Sequence, residues 1–415
     1  FLEKVIALGN ALVDMYAKSG MLARARQVLD QLPVRDIVSW NTLVAGYAQN
    51  EQGHEALDCF ACMQREGLTA DDITFACILK ACGSMKAIDK GKFIHGEIVS
   101  RGLLGTNIVL GNSLVDMYAK CSSLSNAQRV LEDLPMRNVV TWNTLIAGYT
   151  QHDQGHEALN CFGQMQRDGL PANEVTLTCI LKACGSIGAT GKGLQIHFAI
   201  INWGFLKKSI VLGTALVDMY AKCGLLAKAQ QVLEGLYIRD VVSWSALIAG
   251  YAQDGQVCKA LDCFQRMRRE GLCPDDVTFV SVLNACSHSG NLDVAQSYYE
   301  DMSRNYGITP ILEHHTCMVV IFGCAGRFDK AMSVLKTMPS SEDTSVWLAL
   351  LGACRKWGNV KLASLAFDQA LQVDPYCAAA YVLMANIFSA AGMQKDANKL
   401  QTMMMLKDSA WKKEV

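Results

Sequence analysis

Apolar residues recur at helical spacing along this 415-residue chain, as pairs of stripes separated by short polar breaks. In one segment Trp40, Leu43, Val44 and Tyr47 occupy positions i, i+3, i+4 and i+7, which places them on one helix face. After a polar break a second stripe follows and ends at Gly67, a residue suited to terminate a helix. Neither helix of such a pair can bury its apolar face alone. The pattern therefore predicts helix-turn-helix units that stack on their neighbours.

The whole pattern returns every 102 residues, at Trp40, Trp142 and Trp244. Each block divides into units of 31, 35 and 36 residues. A period held this long predicts an array without a single active-site core, and no period-2 alternation competes with helix. The predicted fold class is an all-α solenoid. The predicted units are 6–36, 37–71, 72–107, 108–138, 139–173, 174–209, 210–240, 241–275, 276–311 and 312–343, with 1–5 ending a preceding repeat.

Composition narrows the classes of function. The formal net charge is −1, which argues against a protein that binds nucleic acid mainly by clamping phosphates. Many of the 17 cysteines recur at equivalent repeat positions and are expected to be buried structural thiols of a reducing compartment. No apolar run reaches the length of a membrane span, and no transit peptide is visible in this chain.

Several long strings recur with the period, among them LVDMYAK, ILKACGS and the WNTL–AGY segments. Together with the alternation of unit lengths they resemble plant organellar pentatricopeptide repeat proteins of the PLS class. The resemblance implies a right-handed superhelix of helix-turn-helix repeats. It assigns the 31-residue units as S units, the 35-residue units as P units and the 36-residue units as L units, with 312–343 as a final S unit.

The C-terminal part also resembles this class. Residues 344–411 are similar to its two tetratricopeptide-like extension motifs, and Lys412, Lys413 and Glu414 resemble the start of the junction to a DYW deaminase domain. Proteins with these extensions are specificity factors for C-to-U editing of mitochondrial or chloroplast RNA. The resemblance thus implies a non-catalytic chain without a cofactor, which binds single-stranded RNA and works with editing-complex proteins or a deaminase.

In this family each repeat contacts one nucleotide, and the fifth and last residues of the repeat select it. An aspartate only accepts hydrogen bonds, so it favours the N–H groups of uracil or guanine. A short Ser or Thr leaves room for a purine, whereas Asn suits a pyrimidine. The expected pairs are Asn10 with Asp36 and Asn41 with Asp71 for U; Asn112 with Asn138 and Asn143 with Asn173 for a pyrimidine; and Thr214 with Asp240, Ser245 with Asp275 and Thr316 with Asp343 for G.

The L units carry no standard selecting pair. Their fifth and last residues are Ala76 with Asn107, Thr178 with Ser209 and Val280 with Ile311. The expected RNA is therefore 5′-UU-n-YY-n-GG-n-G, with the last repeat four nucleotides upstream of the edited cytidine by family analogy.

Other interpretations of these residues stay open. Asp and Asn before an apolar helix are also good N-caps. Val38, Val140 and Val242, the second residues of the P units, are expected to sandwich bases or simply to pack. Lys18, Lys120 and Lys222 are candidate phosphate contacts or merely solvated lysines.

Apparent metal motifs lack the order that chemistry needs. His95 and Glu97 match H-x-E, but Cys59 and Cys62 precede them, whereas zinc deaminases place the cysteines afterwards. No catalytic or metal site is predicted. A protein–protein scaffold and an RNA stabilisation or splicing factor are the alternatives. Organelle, transcript and oligomeric state are not determined by the sequence.

Overall fold

The computed structural model describes residues 2–105, 107–207, 209–338 and 344–414. The chain divides into two compact units, residues 1–205 and 206–415. All regular secondary structure in the described ranges is helical. The fold is thus an all-α helical-repeat solenoid, as the apolar spacing predicted. None of the described helices is both long and apolar enough to cross a membrane.

In the first compact unit, the first helix of each repeat alternates with a second helix that packs against it. The helices are α1 Leu2–Lys18, α2 Leu22–Gln31, α3 Ile37–Gln49, α4 Gly53–Arg65, α5 Asp72–Ser84, α6 Ile88–Ser100, α7 Ile108–Lys120, α8 Leu124–Asp133, α9 Val139–Gln151, α10 Gly155–Arg167, α11 Glu174–Ser186 and α12 Thr190–Asn202.

The second unit continues the same alternation into the C-terminal segment. Its helices are α13 Ile210–Lys222, α14 Leu226–Gly235, α15 Val241–Gln253, α16 Val257–Arg269, α17 Asp276–Ser289, α18 Leu292–Tyr306, α19 Leu312–Cys324, α20 Phe328–Thr337, α21 Ser345–Trp357, α22 Val360–Val373, α23 Ala378–Ala390 and α24 Gln394–Glu414.

Helix starts coincide with the unit boundaries drawn from the sequence. The odd-numbered helices α3 to α19 each begin at the first residue of a predicted unit. The exception is α1, which begins at Leu2 and so runs through most of the segment expected to end a preceding repeat. Within a compact unit, the first helices of consecutive repeats pack side by side, as α1, α3 and α5 do.

Each P unit is anchored by its tryptophan. Trp40 is 1% exposed, and its indole Nε1 donates to Glu66 Oε2 at 2.9 Å. The same carboxylate forms an ion pair with Arg35 at 2.6 Å. A buried indole N–H needs an acceptor, so this pairing fixes the loop after the second helix onto the first helix. Equivalent bonds join Trp142 to Asp168 at 3.2 Å and Trp244 to Glu270 at 3.1 Å.

S units differ because their second helices have 10 residues, not 13. The chain then returns early, and Leu134 packs directly on Gly111 of α7. A Cβ on Gly111 would lie 2.6 Å from Leu134 Cδ2, so a larger residue there would displace the Leu134 side chain. Gly9 with Leu32, and Gly213 with Leu236, repeat this contact. Because its second helix is shorter, an S unit has its fifth and last residues 26 positions apart, against 30 in a P unit.

Candidate nucleic-acid interface

The fifth and last residues of the P units lie together, although they are 30 positions apart in sequence. Asn41 Nδ2 donates to Asp71 Oδ1 at 2.9 Å, and Asn143 Nδ2 donates to Asn173 Oδ1 at 3.0 Å. In the third P unit, Ser245 and Asp275 are joined through Thr278: the two hydroxyls are 2.7 Å apart, and Thr278 Oγ1 donates to Asp275 Oδ1 at 2.5 Å. The structure thus brings together the P-unit pairs that the sequence predicted.

The S-unit pairs are looser. Asn10 Nδ2 reaches Asp36 Oδ1 at 3.3 Å, and Thr214 Oγ1 reaches Asp240 Oδ1 at 3.3 Å. Within the described residues, the buried Oδ1 atoms of Asn10 and Asn112 have no hydrogen-bond partner. A buried amide oxygen without a donor is costly, so these side chains are less firmly held than those of the P units.

The last residue of each P and S unit up to residue 275 also caps the helix that follows it. The Asp71 side chain accepts the N–H of Thr74, and the Thr74 side chain accepts the N–H of Asp71, which forms a capping box. Asp36, Asn138, Asn173, Asp240 and Asp275 form the same box. Capping uses Oδ1, so the other side-chain atom of each residue is not needed for it. The two interpretations left open by the sequence are therefore compatible.

Burial and hydrogen bonding act in opposite directions on the Asp71 carboxyl. Burial disfavours its charged form, but hydrogen bonds from the Thr74 backbone and Asn41, with the Thr74 hydroxyl 2.8 Å from Oδ1, outweigh that effect and lower the pKa of Asp71. Asp36 has a lowered pKa for the same reasons, with Ser39 and Asn10 as donors. Both residues are therefore acceptor-only carboxylates at neutral pH.

Each of the first two P-unit pairs lines a surface depression. Asn41 and Asp71 lie in one of about 290 Å³, between Val38 and Ile73. Asn143 and Asn173 lie in one of about 380 Å³, between Val140 and Val175. The fifth residues themselves are largely buried, with Asn41 6% and Asn143 8% exposed. Polar edges at the bottom of an apolar-walled depression suit a flat, unstacked ring.

The aliphatic walls extend beyond the three valines named from the sequence. Val38, Val140 and Val242 are 53%, 55% and 58% exposed. The second residues of the neighbouring L and S units are equally exposed and had been missed: Ile73, Val109, Val175, Val211 and Val277. The sequence does distinguish these five residues, because each lies one position before the buried stripe of its helix. An uninterrupted series of exposed β-branched side chains is unusual for residues that only pack.

The three recurrent lysines are exposed but not isolated. Lys18 binds Asp14 at 2.7 Å, Lys120 binds Asp116 at 2.7 Å, and Lys222 binds Asp218 at 2.9 Å. Lys18 and Lys120 also line the depressions of the first two P units. Lys18 and Lys120 therefore lie beside the polar pairs, and a ligand would have to compete with an aspartate for each of the three lysines.

The predicted pair of the last S unit and the fifth and last residues of the L units make other contacts. Thr316 Oγ1 donates to Leu312 O at 2.9 Å, and its predicted partner Asp343 lies outside the described residues. In the L units, Asn107 caps α7 and Ser209 caps α13, whereas Thr178 donates to the backbone of its own helix. Ile311 donates its N–H to the His314 side chain, which takes the place of the capping hydroxyl.

The residues that resembled a metal site have other partners. His95 Nδ1 lies 2.9 Å from the Tyr118 hydroxyl. Cys59 is buried, and burial raises the pKa of its thiol to about 11, despite the adjacent Arg26. Among the residues that the structure describes, no group of three or more His, Cys, Asp or Glu side chains could hold a metal ion.

This fold and its recurrent polar pairs define a helical-repeat protein with candidate contact sites at its P units. Residues 35–84, 137–186 and 239–288 match the PPR repeat family; residues 10–37, 277–306 and 313–342 match the PPR repeat; and residues 357–414 match the E motif. The chain belongs to the pentatricopeptide repeat family. The E motif agrees with the resemblance to the PLS class.

Curated relatives align along nearly the whole chain. A mitochondrial pentatricopeptide repeat-containing protein of Arabidopsis thaliana is 38% identical over 406 residues, which cover 98% of this chain and 73% of the relative. A second mitochondrial member from the same plant is 33% identical over 434 residues, covering 97% and 63%. The chain thus spans less than two thirds of the second relative.

Solved structures show the same fold. The crystal structure of the pentatricopeptide repeat protein PPR10 in complex with an 18-nt psaJ RNA element superposes with a TM-score of 0.74 at 19% identity, covering 99% of this chain and 62% of that one. The crystal structure of PPR10 from maize gives 0.60 at 18% identity, covering 98% and 64%. At these identities the likeness concerns the fold alone.

Proposed function

We propose that this chain binds single-stranded RNA sequence-specifically, one nucleotide per repeat, and acts as a specificity factor for organellar C-to-U editing. One observation carries the RNA-binding part most directly. Paired polar residues line the depressions of the first two P units, Asn41 with Asp71 and Asn143 with Asn173, and exposed aliphatic side chains flank each pair. The solved complex of PPR10 with an RNA element supports this assignment by fold.

The editing role depends on the C-terminal segment. Residues 357–414 match the E motif, and this segment exposes Trp357 of α21, Tyr376 between α22 and α23, and Val382 of α23 to solvent. These apolar side chains suit a protein partner, which we take to be an editing-complex protein or a deaminase that receives the cytidine. Relatives named as mitochondrial favour a mitochondrial site of action over a chloroplast one.

An affinity measurement with a designed oligonucleotide tests RNA binding. The chain is titrated with 5′-UU-n-YY-n-GG-n-G and with an RNA in which both adjacent G positions are A, at physiological salt. Tighter binding of the first RNA is expected, by about tenfold or more, because Asp240 and Asp275 accept from guanine N–H groups that adenine lacks. Equal affinities would contradict the assignment. Editing itself requires a separate assay with the target RNA and a deaminase.

The main competing function is a protein–protein scaffold of tetratricopeptide type. It predicts no RNA affinity and leaves the recurring polar pairs without a ligand. RNA stabilisation or splicing would share the binding step but would not need the E motif. A loss of editing, with RNA affinity unchanged, after truncation of α22 to α24 favours the editing role over that alternative.

A further inference from the structure

The third residue of each L unit makes a contact that the two-residue scheme of base selection does not include. Thr74 is fully buried, and its hydroxyl lies 2.6 Å from Asn41 Oδ1 and 2.8 Å from Asp71 Oδ1. Thr176 repeats this geometry, at 2.7 Å from Asn143 Oδ1 and 2.9 Å from Asn173 Oδ1. In both cases one hydroxyl reaches from the following unit into the pair of the preceding P unit.

The Thr74 hydroxyl has one hydrogen, so it can donate to only one of the two oxygens, Asn41 Oδ1 or Asp71 Oδ1. Asp71 Oδ1 already receives the Thr74 N–H at 2.8 Å and the Asn41 Nδ2 hydrogen at 2.9 Å. Without a donor, Asn41 Oδ1 would face the Thr74 oxygen at 2.6 Å as a second lone-pair acceptor. The contact to Asn41 Oδ1 is also the shorter of the two, 2.6 Å against 2.8 Å to Asp71 Oδ1, so we assign the hydroxyl hydrogen to Asn41 Oδ1.

This donation and the acceptor-only Asp71 carboxylate together fix the orientation of the Asn41 amide. If the amide were turned over, its oxygen would face the Asp71 carboxylate and its NH₂ group would face the hydroxyl. In this orientation Asn41 Nδ2 faces Asp71. The second Nδ2 hydrogen and Asp71 Oδ2 take no part in the bonds among Asn41, Asp71 and Thr74. One donor next to one acceptor complements the acceptor and N–H of a uracil edge.

The S-unit pairs show what happens without this contact. Thr141 occupies the corresponding third position after the second S unit, is also fully buried, and donates to Asn138 Oδ1 at 2.9 Å. The buried Oδ1 of Asn112 has no partner within the described residues, so Thr141 does not orient the fifth residue. The shorter S unit accounts for this, since its fifth and last residues are 26 positions apart instead of 30.

We infer that Thr74 and Thr176 are positioning residues that set base selectivity by orienting the fifth-position asparagines of the first two P units. The inference rests on the proposed RNA binding and adds a third residue to the selecting set of those units. Thr278, which contacts Ser245 and Asp275, holds the same place in the third P unit. Selection is accordingly sharper at P-unit nucleotides than at S-unit nucleotides.

Thr74→Val, Thr74→Ser and Thr141→Val variants of the 415-residue chain test this. Valine keeps the shape of threonine but removes the hydroxyl, and serine restores it. Thr74→Val and Thr141→Val both lose a capping-box hydroxyl from a buried site, so their thermal unfolding should change alike. Affinity is measured for the expected RNA and for one with C instead of U at its second nucleotide.

The expected result is specific to one variant. Thr74→Val lowers the preference for U at the second nucleotide by about threefold to tenfold, the worth of one hydrogen bond. Thr74→Ser restores the preference, and Thr141→Val leaves it unchanged. Thr176→Val should lower pyrimidine-over-purine discrimination at the fifth nucleotide, and it provides an independent site if Thr74→Val does not fold.

The outcomes separate the two proposals. A parent chain that does not prefer the expected RNA overturns the proposed function and this inference with it. A parent chain that is selective, with Thr74→Val and Thr176→Val equally selective, overturns only the inference. Equal loss of selectivity in Thr141→Val and Thr74→Val also overturns it, since the effect would then come from the helix cap.

Discussion

At the scale of single residues, one side chain serves both the fold and the proposed recognition. Asp71 and Asn173 occupy the same position in consecutive blocks and form the same capping box. Both use Oδ1 for the cap and for the fifth-position asparagine. They differ in the second atom, a carboxylate oxygen in Asp71 and an NH₂ group in Asn173. The chemistry offered to a ligand can therefore change without a change in the backbone.

Exchange of these two residues should alter selectivity and leave stability nearly unchanged. In Asp71→Asn, the second nucleotide should lose its preference for U over C, because no carboxylate accepts the uracil N3–H. Asn173→Asp should create that preference at the fifth nucleotide. Titrations with RNAs that differ only at these nucleotides measure the effect. The free energy of unfolding should change by less than about 1 kcal/mol, since Asp and Asn cap helices equally well. Large destabilisation without a change in base preference would contradict the dual role.

The sequence reveals some of these residues better than others. The pairs could be predicted because their members vary between equivalent units while the surrounding apolar stripe does not. The Thr74 contact could not, since it depends on how two helices pack to bring together residues 33 positions apart, and the equivalent Thr141 does not orient Asn112. The burial of Asn41 was also not predicted, because composition does not tell how deep a polar edge lies.

At the scale of helices, neighbouring units meet through small residues. A Cβ on Gly148 of α9 would lie 2.8 Å from Ala119 Cβ of α7 and 3.2 Å from Leu124 Cδ2. Gly46 with Ala17, and Gly250 with Ala221, make the same contact. The first helices of each S unit and the following P unit can therefore approach closely. Apolar periodicity predicts the existence of these helices, but only the packed structure shows which glycines set their separation.

Substitution of the interhelical glycine should weaken the array locally. Gly148→Ala places a methyl group against Ala119, and overpacking of this kind costs about 1–3 kcal/mol. Hydrogen exchange of α7 and α9, together with urea unfolding, measures the loss. Gly163→Ala is the matched control on α10, where a Cβ meets no atom within 4 Å. It should stabilise by about 0.5–1 kcal/mol through helix propensity. Similar behaviour of the two variants would show that the close approach of α7 and α9 is not needed.

At the scale of the whole molecule, charge is sparse and internally balanced. The chain has 38 Lys and Arg against 39 Asp and Glu, and the three recurrent lysines are paired with aspartates on their own helices. Affinity from phosphate contacts should therefore be small compared with that from base edges and the aliphatic walls. Composition predicted this from the net charge, but the pairing of each lysine with the aspartate four positions earlier becomes evident only once the helix is formed.

The salt dependence of RNA binding should be correspondingly weak. If Lys18, Lys120 and Lys222 each contact one phosphate, a plot of log affinity against log salt has a slope of about −2, because each contact on a single strand contributes about −0.7. Replacement of all three lysines by glutamine should bring the slope close to zero, yet preserve the preference for U at the second nucleotide. Lys228→Gln, an exposed lysine on a second helix, is the control and should leave the slope as it is. A slope of −4 or steeper in the parent chain, or a slope unaffected by the triple replacement, would place the phosphate contacts on other cations.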